Sequence, residues 1–276
     1  MTCENRGVPA AASTRAALAR SGAYRSLRRA LRAAAHPHEL ARRRLVRRRF
    51  EDAFLHDRQA LGSYEREIQE SGLLDHIREK RQEYDALLAA SGNDGYTPGG
   101  IGLAERIYLY AILRTLKPRI AVETGVANGF STAFALLALE RNGDGELHSI
   151  DYPRSFGDDR ASFHDDIGSV GVPAEHESGW LVPERLRERW TLRLGRSQDE
   201  LPPLLASVGT IDFFLHDSEH SYGCMRFEFT SAWPALRAGG VLVSDDVNST
   251  TAFPEFAREQ SREPIALGRG MALLVK

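Results

Sequence analysis

Residues Ile120 to Asp151 read IAVETGVANGFSTAFALLALERNGDGELHSID, and the reading of this stretch decides the fold. An apolar run, Ile120-Ala121-Val122, ends in an acid, Glu123, and Gly125 and Gly129 follow at once. Helix-forming residues run from Phe130 to Arg141, a Gly-Asp-Gly turn follows, and a second apolar run closes on Asp151. Strand, glycine turn, helix and a strand ending in an acid make the first half of a nucleotide-binding α/β sheet. The glycines let backbone approach a ligand where a side chain would collide. The carboxylate that ends the second strand is placed to accept hydrogen bonds from a ribose diol.

The block resembles motif I and the acidic loop of the class I S-adenosylmethionine-dependent methyltransferases. Gly125 and Gly129 form G-x-x-x-G, and Ala127 stands where the dinucleotide fingerprint G-x-G-x-x-G needs its second glycine. That glycine lets backbone approach a pyrophosphate. S-adenosylmethionine has none, so the spacing argues against a nicotinamide enzyme.

The chain of 276 residues has room for one large α/β domain with an N-terminal extension. With 42% hydrophobic and 27% charged residues it has the composition of an ordinary globular protein. No apolar run approaches the ~20 residues of a membrane span. Cys3 and Cys224 alone offer neither a disulfide framework nor a cysteine metal cluster, which fits a cytoplasmic setting. The net charge of −2 hides an asymmetry: residues 1–50 hold thirteen arginines against Glu4 and Glu39, a balance of +11 that leaves −13 for the rest.

Three readings of the basic arm, residues 1–50, compete. It reads as an Arg-rich transit peptide, as an amphipathic helix with Leu18, Leu27 and Leu31 near one face, or as an arm packing on a partner subunit in a homo-oligomer. His36-Pro37-His38 interrupts any single long helix. Nucleic acid is not the expected partner, because only Tyr24 and Phe50 supply aromatics. Residues 51–94 read as a helical extension with breaks at Gly62 and Ser71-Gly72. SGNDGYTPGG, residues 91–100, is a loop by composition, and the domain boundary is set near Gly95. A helix is expected over Leu103–Leu116, ended by Pro118.

Beyond Asp151, the polar segment Tyr152–Arg189 is too long for a plain connection and is expected to be part helix, part functional loop. Strands are expected at Thr191–Leu194, Ile211–Leu215 and Val241–Val243, with helices at Gln198–Ala206 and Tyr222–Leu236, the latter closed by Gly239-Gly240. Ile265–Leu267 and Met271–Val275 read as a closing hairpin. The expectation is an α/β, Rossmann-like seven-stranded sheet over residues 95–276, mostly parallel, with an antiparallel C-terminal hairpin.

Ligands of such sheets bind at the carboxyl ends of the strands, and acids fall there repeatedly: Glu123, Asp151, Asp217, Asp245 and Asp246. Glu123 and the Gly125 backbone are expected beside the methionine part of the cofactor. Ser131, at a helix start, is expected on its carboxylate, and Asp151 on the ribose. Asp217, Asp245 and Asp246 bring three carboxylates together with no compensating lysine, which points to a hard divalent cation such as Mg2+. A cation there lowers the pKa of a substrate hydroxyl. His220, three residues past Asp217, stands where a general base is needed.

Two further motifs carry the resemblance. Gly195-Arg196-Ser197-Gln198-Asp199 is similar to the segment of catechol-type O-methyltransferases that contacts adenine, which implies Ser197 and Gln198 at the base. HDSEHSY with GGVLVSDDV resembles metal-dependent sugar and natural-product O-methyltransferases. There the matching histidine is the proposed base and the matching acids hold magnesium. His216, before Asp217, is a departure that adds a second titratable group. The resemblance implies an S-adenosylmethionine- and metal-dependent O-methyltransferase acting on a sugar or glycosylated natural product. A metal-free methyltransferase and a non-catalytic binding protein of the same fold are the alternatives.

Overall fold

The computed structural model describes residues 37–92, 96–156, 169–268 and 270–276. The arm before Pro37, with Cys3 and its three readings, lies outside the described residues, as do the boundary near Gly95 and residues 157–168 of the long polar segment. The chain divides into two compact units, Met1–Arg47 and Arg48–Lys276. The described part of the first belongs to helix α1, Pro37–Phe50. Pro37 opens it with a preset φ and loses no intrahelical bond there, and Arg43 donates to Glu39 one turn back at 2.8 Å.

After α1 comes a π-turn, Glu51–Leu55, ended by His56 in the left-handed region. Helices α2 (Ala60–Glu70) and α3 (Leu73–Ser91) break apart at Ser71-Gly72, where Gly72 takes φ +75°. Gly62 makes no break. It sits inside α2, whose buried face of Leu61 and Ile68 outweighs the ~1 kcal/mol a helical glycine costs. Helix α4, Leu103–Leu116, has the expected bounds. Glu67 of α2 accepts from Tyr110 Oη at 2.7 Å and Arg114 Nε at 2.9 Å, pinning α2 to α4.

The nucleotide-binding half forms as its sequence dictates: β2 (Ile120–Thr124), α5 (Phe130–Asn142) and β3 (Glu146–Asp151). Next come β5 (Trp190–Leu194), α6 (Ser197–Val208), β6 (Ile211–His216), α7 (Tyr222–Ala235) and β7 (Leu236–Ser244). Helix α8 (Ala252–Glu259) and strands β8 (Ile265–Ala266) and β9 (Ala272–Val275) close the chain. The seven-stranded sheet has the order β5-β3-β2-β6-β7-β9-β8, parallel through β7 and antiparallel in the last two pairings. Gly239-Gly240 do not close α7. The helix ends at Ala235, and both glycines lie within β7, where the ladder shifts register opposite Ile211 and Phe213. A two-stranded parallel sheet of β1 (Tyr96–Thr97) and β4 (Ser169–Val170), and α8, were not foreseen. The buried spacing Ala252, Phe253, Phe256, Ala257 is the helical signal that marks α8.

One face of the sheet, with Val122, Phe214 and Leu242, packs against Leu201, Leu204, Met225, Phe229, Trp233 and Phe256 of α6, α7 and α8. Alternation turns Ala121, Phe213, Leu215 and Val243 to the other face, and α4 and α5 pack on each other with Tyr108–Leu113 and Phe130–Leu139 buried. Among the described residues no helix is long and apolar enough to cross a membrane.

Candidate functional site

Register decides where the acids meet. Thr124 pairs with Ile150 on one side and His216 on the other, His216 pairs with Ser244, and Asp151 pairs with Leu194. The ladder runs on past the strand ends: Gly125 N–H donates to Ile150, Asp217 N–H to Thr124 and Asp245 N–H to His216, each at 2.9 Å. Glu123, Asp151, Asp217, Asp245 and Asp246 therefore share one rim. Strand order reverses between β2 and β6, and such a switch point opens a crevice at the carboxyl ends.

The glycine loop leans on the acid loop. Gly125 takes φ +86°, and a Cβ there would lie 2.0 Å from the Asp217 carbonyl oxygen. Ala127, in the middle glycine's place, also takes a left-handed φ of 48°.

Glu123 is completely buried and caged by hydroxyls. Ser131, Thr132 and Ser149 each donate to it at 2.8 Å. Burial pushes its carboxyl up to about 7 against those bonds, with Asp151 adding to the rise. Ser131, expected on the cofactor's carboxylate, points its hydroxyl at Glu123 here. Asp151 accepts from the Val126 and Ala127 N–H groups at 3.1 and 3.2 Å and from Ser178 at 2.5 Å. Burial raises its pKa, and these bonds restrain the rise.

A strap lies over this loop. Gly179 N–H donates to Ala127, and Leu181 N–H to Asn128. Trp180 Nε1 donates to the buried Asn128 Oδ1 at 2.6 Å, while Asn128 Nδ2 donates to Pro98 and Gly171. Asn128 lies inside the quoted block but was not singled out. Its polar side chain between two glycines was the available signal.

The adenine candidates open α6. Arg196 is the N-cap, and Ser197 is the first helical residue. Ser197 is buried, 3.7 Å from Cys224 Sγ, and Gln198 beside it is half-buried.

At the acid loop, His220 sits between two carboxylates, Nδ1 3.5 Å from Asp246 Oδ2 and Nε2 3.9 Å from Asp217 Oδ1. Asp246 takes a left-handed φ of 47°, which an aspartate tolerates better than most residues. Burial, then Asp245, Glu123 and Asp246, hold the Asp217 carboxyl well above the ordinary range. Burial and Asp246 push Asp245 up to about 6. No lysine compensates these acids, but the fold brings an arginine: the charge of Arg106, on α4, acts on Asp217 in the opposite sense. Among the described residues, no group of three or more His, Cys, Asp or Glu is arranged to hold a metal ion.

His216 is fully buried and out of reach of an acceptor. Its Nδ1 lies 2.6 Å from Glu228 Oε2, its Nε2 has no hydrogen-bond partner, and its ring stands edge-on to His220 with centroids 5.3 Å apart. Glu228, which the sequence did not mark, is the hub beneath the rim. It accepts from Thr124 at 2.5 Å and Ser218 at 2.7 Å. Burial alone would raise its pKa; His216 and the donors hold it down to about 2. Tyr222 is half-exposed and donates to Glu255 of α8 at 2.7 Å.

Residues 122–247 match the model of a family described as a methyltransferase domain. Among solved structures, the chain is similar to the O-methyltransferase from Bacillus cereus in complex with SAH, at 16% identity over 70% of this chain and 90% of that one, with a TM-score of 0.48. It is similar also to TomG from Streptomyces achromogenes, involved in tomaymycin synthesis, at 19% identity over 64% and 81%, with a TM-score of 0.47. A third is the SAH-bound methyltransferase PaMTH1 of Podospora anserina, at 12% identity over 74% and 86%, with a TM-score of 0.49. No curated protein matches the chain.

Proposed function

We propose, from the match of residues 122–247 to the methyltransferase-domain model, that the chain transfers the methyl group of S-adenosylmethionine to a hydroxyl, with His220 as general base. The observation that carries this is His220 held between Asp217 and Asp246 at the rim where the glycine loop and the acid loop touch. The donor lies along Glu123, Gly125 and Ser131, with its ribose toward Asp151 and its adenine toward Ser197 and Gln198. His220 takes the acceptor's proton, the oxygen attacks the sulfonium methyl in line, and S-adenosylhomocysteine leaves. The protein contributes position and electrostatics. The likeness of Asp217-x-x-His220-x-Tyr222 and SDDV to sugar O-methyltransferases supports a sugar hydroxyl, free or on a natural product, as acceptor.

The assay is methyl transfer from labelled S-adenosylmethionine to a panel of sugars, nucleotide sugars and glycosides. Transfer to oxygen that His220→Ala lowers ~10²-fold or more while S-adenosylhomocysteine still binds supports the reading. Transfer undiminished in that variant removes His220 from it.

Metal dependence is a second reading, favoured by the burial and neighbouring carboxylates that together raise Asp217 and Asp245. All-oxygen donors suit Mg2+, and a cation bound there would lower the hydroxyl's pKa. The arrangement of the three acids does not itself make a ligand set, and Arg106 already offsets Asp217, so no step above depends on a metal. Loss of turnover in EDTA with recovery on Mg2+ supports this second reading; full turnover of stripped protein in EDTA ends it.

A further inference from the structure

Arg106 lies on the second turn of α4 with its guanidinium carbon 4.4 Å from the centroid of the Phe130 ring, the first residue of α5 after Gly129. It is half-buried. Other arginines of this unit spend their donors on acids: Arg114 on Glu67, Arg226 on Glu259, Arg237 on Asp212. Arg106 Nε is buried without a hydrogen-bond partner, and among the described residues no side-chain hydrogen bond or ion pair of Arg106 is formed. Asp217 and Glu105 act on its charge, with Arg81 opposing them, yet neither acid closes an ion pair with it. Burial lowers its pKa to about 10, so it stays cationic at neutral pH.

A guanidinium carries five donors in a planar fork and cannot be neutralised at neutral pH. Leaving the buried Nε dry and unmatched is costly. The ring of Phe130 holds one face by cation–π attraction but accepts none of the N–H bonds. The group that fits the fork is a planar anion able to take two parallel bonds, which is a carboxylate.

Resting on the methyl-transfer reading, we propose that Arg106 is the receptor for a carboxylate that a ligand brings to the glycine loop: either the amino-acid end of the methyl donor or an acid group on the acceptor. The donor source is tested by calorimetric titration of S-adenosylhomocysteine, and of 5′-methylthioadenosine, which lacks the amino acid, into wild type and Arg106→Gln. A lost charge-assisted pair weakens S-adenosylhomocysteine about ten- to hundred-fold and leaves 5′-methylthioadenosine unchanged. The acceptor source is tested by titrating benzoate into protein saturated with S-adenosylhomocysteine, and predicts binding to wild type that the variant lacks. Arg106→Lys, which keeps the charge without the fork, recovers part of either loss and guards against a variant that does not fold. The inference is overturned if both nucleosides weaken alike, or if wild type and variant do not differ toward S-adenosylhomocysteine or benzoate. Failure of the wild type itself to bind S-adenosylhomocysteine would instead remove the methyltransferase reading.

Discussion

Gly125 and Asp217 meet backbone to backbone: a Cβ on the glycine would stand 2.0 Å from the aspartate's carbonyl oxygen. The loop assigned to the donor and the loop bearing the base are thereby held at van der Waals distance. Gly125→Ala must move one of them and also places a side chain at φ +86°. Strain of that kind costs on the order of 1–3 kcal/mol. We expect urea denaturation to show that loss and S-adenosylhomocysteine binding to weaken with it; a variant with wild-type stability and affinity would mean the contact is loose.

His220 stands beside Asp217 and Asp246 in the loop that follows β6. His220→Ala should lower kcat ~10²-fold or more, as for a lost general base, with donor affinity nearly unchanged. Steady-state kinetics beside calorimetry separates the two. A fall confined to donor affinity would make His220 a binding residue.

Glu228 is a buried carboxylate with His216, Thr124, Ser218 and Ser197 around it. Glu228→Ala leaves those partners unmatched and should cost about 3 kcal/mol or more. Because its folded pKa is about 2 against an ordinary 4.5, its stabilising share is present above pH 4.5 and is lost as pH falls through 2. Acid unfolding curves of wild type and Glu228→Gln should therefore differ in slope below pH 4.5 and run parallel above it.

Glu123 has the opposite sign. Its folded pKa is about 7 against an ordinary 4.5, so between these values the folded state keeps a proton that the unfolded chain has released. Stability then falls as pH rises from 4.5 through 7. Glu123→Gln should flatten that part of the Tm profile in part, since Asp217 and Asp245 titrate in the same direction. An unchanged slope would show that Glu123 is ionised throughout.

What the chain order alone made legible was local. Ile120–Asp151 carries its strand, turn and helix in its own periodicity and glycines, and the structure returns β2, α5 and β3 within a residue or two. The acids at strand ends were readable for the same reason, because a parallel sheet puts every strand's carboxyl end on one side. Gly62 and Gly239-Gly240 were misread because a glycine's local preference yields to burial and pairing around it.

Which group answers each charge was not written locally. Glu228 lies 104 residues from Thr124, and Arg106 belongs to a helix ahead of the whole sheet. No spacing rule reaches across such distances; only packing of α4, α5 and α7 against the rim brings these groups within range. The sequence determined that a sheet would gather carboxylates at one edge, because strand direction and side-chain alternation are properties of the chain. The tertiary structure decided which carboxylates are caged, which have their pKa raised and which face a histidine, because burial and the distance between charges exist only once the elements have packed.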